Sequence, residues 1–217
     1  MSESKYYTGV GSREAPYNKL HDAAKIAERM LALGYGLRSG HAQGMDMAFE
    51  GPVSRLKQSS GSPSDITPSE IYLPWDGFQS RRAGGMYIDA NTLELWSEAK
   101  EMVSDLHPAP HRLSPGALSL HVRNVFQVLG QDLQTPSEFV VFWAVPISHN
   151  KKEKVEDKDA KIITTADKLP PQAVVKGGTN TAVYLAMSKN IPVYNLHDTE
   201  QSKTLLKYIK ELESKRG

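Results

Sequence analysis

The sequence predicts a Rossmann-like α/β fold, in which helices cover both faces of a mostly parallel sheet within a single domain of residues 1–217 that carries surface insertions. Three observations predict it. Short segments rich in β-branched and aromatic residues alternate with segments whose apolar residues recur every three or four positions. Within the predicted strand 138–145, residues 139–143 are apolar on both faces, as central parallel strands are. Glycine-rich turns join strands to helices, and this alternation favours a parallel sheet.

The first half of the chain alternates predicted strands with predicted helices. The strand formers Tyr6, Tyr7 and Thr8 cluster near the N-terminus, and a helical pattern that follows them ends at Gly34. The segment 58–69 is rich in serine and proline and predicts a surface loop. The predicted elements of this half are strands at 5–10, 36–39 and 70–74, and helices at 22–33, from 45 onward and at 91–105.

The second half continues the alternation after a proline-rich break. Prolines within 107–115 exclude a regular helix there, and Ser114 or Ser119 is expected to cap the next helix, which runs to about Gly130. Dense mixed charge at 149–161 predicts a solvated loop or a hairpin tip. The remaining predicted elements are strands at 138–145 and 191–196, a helix that follows a glycine turn at 176–181, and a charged helix at 201–214 within the C-terminal segment 197–217.

Composition excludes several classes of protein. The chain has no cysteine, which excludes disulfides, thiolate metal sites and cysteine nucleophiles. Its formal net charge of +1 gives no global basic field for nucleic acid. The N-terminus lacks the apolar core of a signal peptide, and no apolar run approaches the roughly 20 residues that cross a bilayer. We therefore expect a cytoplasmic protein with no membrane association.

No metal or other cofactor is predicted. His107 and His111 are four residues apart, but Pro108 and Pro110 prevent the helical presentation that would align both rings on zinc.

Two glycine-rich turns are the first candidates for ligand binding. The turn at 9–13 joins a strand to a helix, and the turn at 177–181 leads into a helix; in such turns backbone N–H groups favour an anion and glycine lets a phosphate approach. Tight-turn packing or helix capping is the alternative explanation for each. A dinucleotide fingerprint is incomplete because Glu14 stands at its third glycine, and the sequence contains no P-loop motif. The turns therefore predict a phosphate site outside these two classes.

A third turn at 39–46 is expected at the same edge of the sheet. Asp46 is a candidate to bind a ribose hydroxyl or to cap a helix, and His41 either contacts a ligand or faces solvent. Arg13 and Arg38 flank glycine turns, where each would bind phosphate or form a surface salt bridge. The candidate ligand-binding residues are Gly9, Gly11, Ser12, Arg13, Arg38, Ser39, Gly40, His41, Gly44, Asp46, Arg123, Asn124, Gly177, Gly178, Thr179, Asn180 and Thr181.

In their order along the chain, these motifs resemble the DprA/Smf-like branch of the SLOG superfamily, which also contains the LOG nucleotide hydrolases. The matching segments lie at 8–13, 38–48, 123–124 and 177–182, within residues 5–196. The resemblance implies a Rossmann-like domain that binds a nucleotide or nucleotide-derived ligand at the clustered turns. DprA proteins bind single-stranded DNA and are commonly dimers, so it also implies a DNA partner and a homo-oligomer. LOG enzymes instead cleave the N-glycosidic bond of nucleoside monophosphates.

Departures from the LOG motif favour binding over cleavage. The motif PGGxGTxxE has a proline, its third glycine and a glutamate where this chain has Lys176, Asn180 and Tyr184. The sequence therefore predicts a DprA-like protein that binds a nucleotide or single-stranded DNA. One alternative is a LOG-like enzyme that cleaves or transfers a nucleotide's N-glycosidic bond, with Glu14, Asp46 or Glu50 as conceivable acids or bases. Another is an interaction protein whose pocket is vestigial.

Overall fold

A six-stranded parallel sheet forms the centre of the computed structural model, which describes residues 5–58, 68–148, 155–156 and 174–216. The strands are β1 (Tyr6–Gly11), β2 (Gly36–Ser39), β3 (Glu70–Leu73), β4 (Tyr87–Asp89), β5 (Val140–Trp143), β6 (Ile147–Ser148), β7 (Val155–Glu156) and β8 (Val193–Asn195). The large sheet has the order β4-β3-β2-β1-β5-β8, and every neighbouring pair in it is parallel. The short strands β6 and β7 form a separate antiparallel pair.

The chain reverses its direction across the sheet beside β1. It steps from β1 outward through β2 and β3 to β4, and then returns to β5 and β8 on the other side of β1. The register pairs Gly11, the last residue of β1, with Trp143, the last residue of β5. Open α/β sheets bind ligands outside the carboxyl ends of the strands at such a switch point. The topology therefore predicts a ligand site at the edge of the sheet beyond β1 and β5.

Within the described residues, six α-helices cover the two faces of the sheet. They are α1 (Tyr17–Ala32), α2 (Met45–Gln58), α3 (Trp96–Leu106), α4 (Pro115–Leu129), α5 (Thr179–Ser188) and α6 (Thr199–Arg216). One apolar cluster joins α1, α2 and α6 to the sheet, and a second joins α3, α4 and α5 to its opposite face. The predicted Rossmann-like architecture, a parallel sheet with helices on both faces, is confirmed.

Strand β5 shows how the two clusters share one sheet. Val140 and Phe142 pack into the cluster of α3, α4 and α5, whereas Val141 and Trp143 pack into the cluster of α1, α2 and α6. Side chains alternate between the faces of a strand, so a strand that is covered on both faces must be apolar throughout. Each large side chain that leaves water here stabilises the fold by about 1.5–3 kcal/mol.

Element boundaries differ from the sequence prediction where apolar periodicity is a poor guide. Helix α1 begins at Tyr17, five residues before the predicted start, because its first three residues are polar or exposed and show no apolar periodicity. Helix α3 begins at Trp96 because Leu93 has an extended backbone. The edge strand β4 was not predicted, since its three residues are only partly buried and do not alternate. Ser114 caps α4 by accepting a hydrogen bond from the Ala117 N–H at 3.3 Å.

Most of two predicted surface segments falls outside the described residues. Of the loop at 58–69 the structure describes residues 58, 68 and 69, and of the charged segment at 149–161 it describes 155–156, which form β7. None of the helices within the described ranges combines the length and the apolar character needed to cross a membrane.

Candidate functional site

A cavity of about 280 Å³ lies at the carboxyl end of β1, beside the switch point. It is enclosed by the turn after β1, the start of α2, one face of α4 and the turn before α5. The residues that line it are Val10, Gly11, Ser12, Arg13, Glu14, Ala42, Asp46, Leu120, Arg123, Asn124, Gln127, Lys176, Gly177, Gly178, Thr179 and Ala182. The cavity thus joins segments that are far apart in the sequence, two of them glycine turns.

Two buried groups of opposite charge face each other in this cavity. Asp46, in the first turn of α2, accepts a hydrogen bond from the Gly11 N–H through Oδ1 at 3.1 Å. Its Oδ2 lies 3.5 Å from Nη1 of Arg123, and the two side chains are only 4% and 7% exposed. Burial raises the pKa of Asp46 to about 6, against the lowering effect of the Arg123 charge. Burial likewise lowers the pKa of the Arg123 guanidinium.

The Arg123 guanidinium reaches the cavity because Gly40 leaves room for it. Its Nη1 donates a hydrogen bond to the Gly40 carbonyl oxygen, and its Nε donates to the Leu120 carbonyl oxygen at 3.4 Å. A Cβ at Gly40 would lie 1.5 Å from Nη1 and 2.2 Å from Nε2 of Gln127. Glycine at position 40 therefore allows these two side chains of α4 to extend across the end of β2.

Three side-chain hydrogen bonds hold the turn before α5 in place. Asn124 Nδ2 donates to the Gly178 carbonyl oxygen at 2.8 Å. Asn180 Oδ1 accepts from the N–H groups of Val174 and Val175 at 2.8 and 3.2 Å. Gly178, the N-cap of α5, has no side chain to offer to the first-turn amide groups. The positive end of the α5 dipole is thus fixed beside the cavity, where it favours an anion.

The remaining charged lining residues stand at the exposed mouth of the cavity. Arg13, Glu14 and Lys176 are all exposed, and Lys176 Nζ lies 3.7 Å from Glu14 Oε2. Ser12 Oγ accepts a hydrogen bond from the Glu14 N–H at 3.0 Å, which fixes the turn after β1. A solvated ion pair of this kind contributes little stability, so Lys176 can exchange Glu14 for a ligand phosphate with little loss of stability.

The structure does not bring Arg38 or Ser39 to the cavity. Arg38 Nε donates to Glu70 Oε2 at 2.7 Å, its Nη1 donates to the Thr135 carbonyl oxygen at 2.5 Å, and its guanidinium stacks 3.9 Å from the ring centre of Tyr6. Ser39 Oγ donates to the Gly9 carbonyl oxygen at 2.7 Å. Both side chains hold strands of the sheet together.

His41 lies near the cavity but is not part of its lining. Its φ is +56°, and its Nδ1 lies 2.7 Å from Oε2 of the buried Glu50. The Tyr87 hydroxyl donates to the other oxygen of Glu50 at 2.6 Å, and its ring packs against the His41 ring at 5.6 Å. Glu50 is therefore enclosed beneath the turn, whereas the other two conceivable acids, Glu14 and Asp46, line the cavity.

The other candidate residues outside the lining support it from behind. The missing Cβ of Gly9 makes room for Phe49 of α2, since a Cβ there would lie 2.6 Å from that ring. Gly44 has a φ of +85° in the turn that leads into α2. Thr181 Oγ1 lies 2.6 Å from Nδ1 of His121, whose pKa is lowered to about 4, chiefly by burial and then by the neighbouring charges of His107 and Arg123. His121 is therefore neutral near pH 7.

Gln127 is a lining residue that the sequence prediction missed. It is fully buried on α4, one helical turn after Arg123. Its signal in the sequence is a single polar residue within the apolar run 125–129, at a spacing of four from a charged residue on the same helix face. Lys176 was also absent from the candidates because it precedes the glycines of its turn.

No family model, no curated protein and no solved structure matches this chain. What the site can do therefore follows from its geometry. A helix N-terminus and two exposed cations surround the mouth, and a carboxyl group, a guanidinium and an amide line the interior. Such an arrangement suits a ligand with one anionic end and one neutral end that forms hydrogen bonds.

Proposed function

We propose that the chain binds a nucleotide, either alone or as one unit of single-stranded DNA, in the cavity at the end of β1. The observation that carries this proposal is the convergence at the switch point of the α5 N-terminus with a buried Asp46–Arg123 pair. The same function is implied by the resemblance to DprA-like proteins, on motifs that include the two glycine turns of this cavity.

The phosphate is assigned to the mouth of the cavity. The positive end of the α5 helix dipole and the side chains of Arg13 and Lys176 supply positive charge there. Asp46 supplies a carboxylate acceptor for a ribose hydroxyl deeper in the cavity. A phosphate dianion keeps part of its hydration at the exposed mouth, so this orientation avoids burying it completely.

The size of the cavity favours one nucleotide unit. At about 280 Å³ it lies near the lower end of small-molecule pockets, which span roughly 300–1,000 Å³. The net charge of +1 also gives little general attraction for a polyanion. We therefore propose a mononucleotide as the preferred ligand, with single-stranded DNA as the competing occupant of the same site.

Calorimetric titration of the protein with AMP, GMP, CMP, UMP and a 20-nucleotide single strand tests the proposal. We expect at least one monophosphate to bind and to raise the melting temperature, because a ligand of the folded state stabilises it. The double variant R13A/K176A should lose affinity at least about tenfold, since it removes charged hydrogen bonds to the phosphate. The control R55A removes an exposed arginine of α2 that pairs with Glu28.

The outcomes separate the ligands. A single strand that binds more tightly than every monophosphate, with an affinity that falls steeply as salt is raised, makes DNA the occupant. If neither the monophosphates nor the strand binds at millimolar concentration, the proposed function is wrong. Equal losses in R13A/K176A and R55A would contradict the assignment of the phosphate to the mouth.

Hydrolysis of the N-glycosidic bond is a second candidate, favoured by one observation. Asp46 lines the cavity with a pKa raised to about 6 by burial, and a carboxyl group with a pKa near neutrality is suited to general acid–base catalysis. Water would add to the anomeric carbon while the base leaves with a proton. Chromatography of the same monophosphates after incubation with protein should then detect free base that the D46N variant does not release.

A further inference from the structure

Gln127 has a buried side-chain amide that the rest of the described structure leaves unpaired. The residue is 0% exposed, and among the described residues no group forms a hydrogen bond with either its Oε1 or its Nε2. Its backbone is well held, since its carbonyl oxygen accepts a hydrogen bond from the Thr8 hydroxyl at 2.6 Å. Gln127 is among the residues that line the cavity.

A buried amide without a hydrogen-bond partner lowers the stability of the fold unless a ligand pairs with it. A buried polar group without a partner destabilises a fold, and most buried side-chain amides in proteins form hydrogen bonds. Nothing in the described part of the chain pairs with this amide, so the fold itself does not account for a polar side chain at position 127. The amide therefore points to a partner that enters the cavity.

The chemistry of an amide restricts that partner. A glutamine side chain presents one acceptor beside one donor, so a ligand satisfies both atoms with a donor beside an acceptor. Phosphate and carboxylate groups only accept, and would leave Oε1 unpaired. The edges of nucleobases carry a donor next to an acceptor, and glutamine pairs with adenine in this bidentate way in nucleic-acid complexes.

We propose that Gln127 binds the hydrogen-bonding edge of the nucleobase, an inference that rests on the nucleotide-binding function proposed above. The base then occupies the buried interior of the cavity, and the phosphate occupies the mouth near Arg13 and Lys176. This orientation buries the neutral end of the ligand and leaves its charged end near solvent. Rotation of the amide exchanges its donor and acceptor, so the interior accepts a base edge of either order.

The variant Gln127→Met tests the inference, because methionine has a similar length and no hydrogen-bonding amide. Calorimetry measures the affinity of the tightest-binding nucleoside monophosphate and of ribose 5-phosphate, which lacks the base. We expect Q127M to bind the nucleotide about 10- to 100-fold more weakly and ribose 5-phosphate as tightly as the unaltered protein does. The ligand-free variant should melt no lower than the parent, since two unpaired polar atoms have been removed. The control Q131M replaces an exposed glutamine just beyond α4.

The outcomes distinguish this inference from the function on which it rests. If nucleotides bind and Q127M binds them as tightly as Q131M does, the inference is wrong and the nucleotide site stands. An equal loss for ribose 5-phosphate would place the amide against the sugar or the phosphate and would also overturn it. If the unaltered protein binds neither the monophosphates nor the single strand, the proposed function itself fails and the inference fails with it.

Discussion

Two buried arginines, Arg38 and Arg123, lie in different environments although the sequence predicted both as ligand-binding residues. Arg38 pairs with Glu70 at 2.7 Å, and that carboxylate also accepts hydrogen bonds from the Tyr72 hydroxyl at 2.7 Å and from the Gln131 amide at 3.3 Å. Arg123 lies 3.5 Å from Asp46, a looser contact, and both of these groups line a cavity.

Burial alone therefore does not identify an arginine that binds a ligand. The Arg38 guanidinium contacts a carboxylate, a carbonyl oxygen and an aromatic ring, and none of these groups is among the residues described above as lining the cavity. This network stabilises the sheet. Arg123 also donates to two carbonyl oxygens, but its ion pair is longer, and it lies next to a cavity large enough for a ligand. The same cavity is lined by Gln127, whose amide has no partner among the described residues. A long ion pair and an unsatisfied amide beside a cavity therefore indicate a binding site better than burial does.

The variant Arg38→Met should produce the largest effect, a loss of about 3–5 kcal/mol in the free energy of unfolding, because it leaves the Glu70 carboxylate without its cation. Arg123→Met should lose less, since a carboxyl group such as Asp46, whose pKa is already about 6, can take up a proton instead. Urea denaturation of both variants measures this difference. Nucleotide affinity should show the reverse order, unchanged in folded R38M and reduced in R123M. A stability loss in R123M as large as that in R38M would contradict the comparison.

The fold could be predicted from the sequence because its signals are local. The apolar segment around Phe139 and the glycine turns at the ends of β1 and β2 indicate parallel strands joined to helices. Strand β4 was not predicted because a half-buried edge strand shows no alternation of apolar and polar residues. Its pairing with β3 depends on tertiary packing that the local sequence does not report. Helix starts at Tyr17 and Trp96 depend on backbone conformation that periodicity does not report.

The candidate site was predictable only where backbone, rather than side-chain, geometry defines it. The turn that begins at Gly11 had to lie at a sheet edge, because a strand-to-helix turn in a parallel sheet must lie at one. The glycines at 177–178 instead follow Val175, which forms an isolated antiparallel bridge with Pro146. Whether Arg38 or Arg123 faces the ligand depends on packing between α4 and the ends of the strands, which no local pattern encodes. Gln127 illustrates the same limit, since a lone polar residue on an apolar helix indicates a cavity only when the cavity is known.

The variant Asp46→Asn should change how stability depends on pH. In the unfolded chain this carboxyl group ionises near the ordinary aspartate pKa of 3.8, whereas burial raises the folded value to about 6. Between these pH values the folded state binds more protons, so the contribution of Asp46 to stability falls as pH rises, by about 3 kcal/mol in total. Asparagine does not titrate, so D46N should lack this fall. Chemical denaturation at several pH values from about 4 to 7 measures the difference.

A matched control has the opposite sign. Hydrogen bonds, first from the Thr135 side chain, lower the pKa of Asp132, so its stabilising contribution is present at neutral pH and is lost in acid. The difference between the parent and D132N should therefore shrink as pH falls. If D46N instead behaves as D132N does, the Arg123 charge outweighs the burial of Asp46, and the looser ion pair in the cavity resembles the closed one at Arg38.

The variant Gly40→Ala should have the smallest effect on stability and still impair the site. Its Cβ would displace the ends of two long side chains, Arg123 Nη1 and Gln127 Nε2, which can move into the neighbouring cavity. We expect a stability loss of at most about 1 kcal/mol but a roughly tenfold weaker affinity for nucleoside monophosphates, equivalent to about 1.4 kcal/mol.

Gly9→Ala is the matched comparison, because its Cβ would instead meet the Phe49 ring in the core and should lower stability more. If G40A binds nucleotides as tightly as the parent, the positions of Arg123 and Gln127 at the end of β2 do not matter for binding. The cavity would then bind its ligand through the glycine turns alone, and the contrast between the two arginines would be one of packing, not of function.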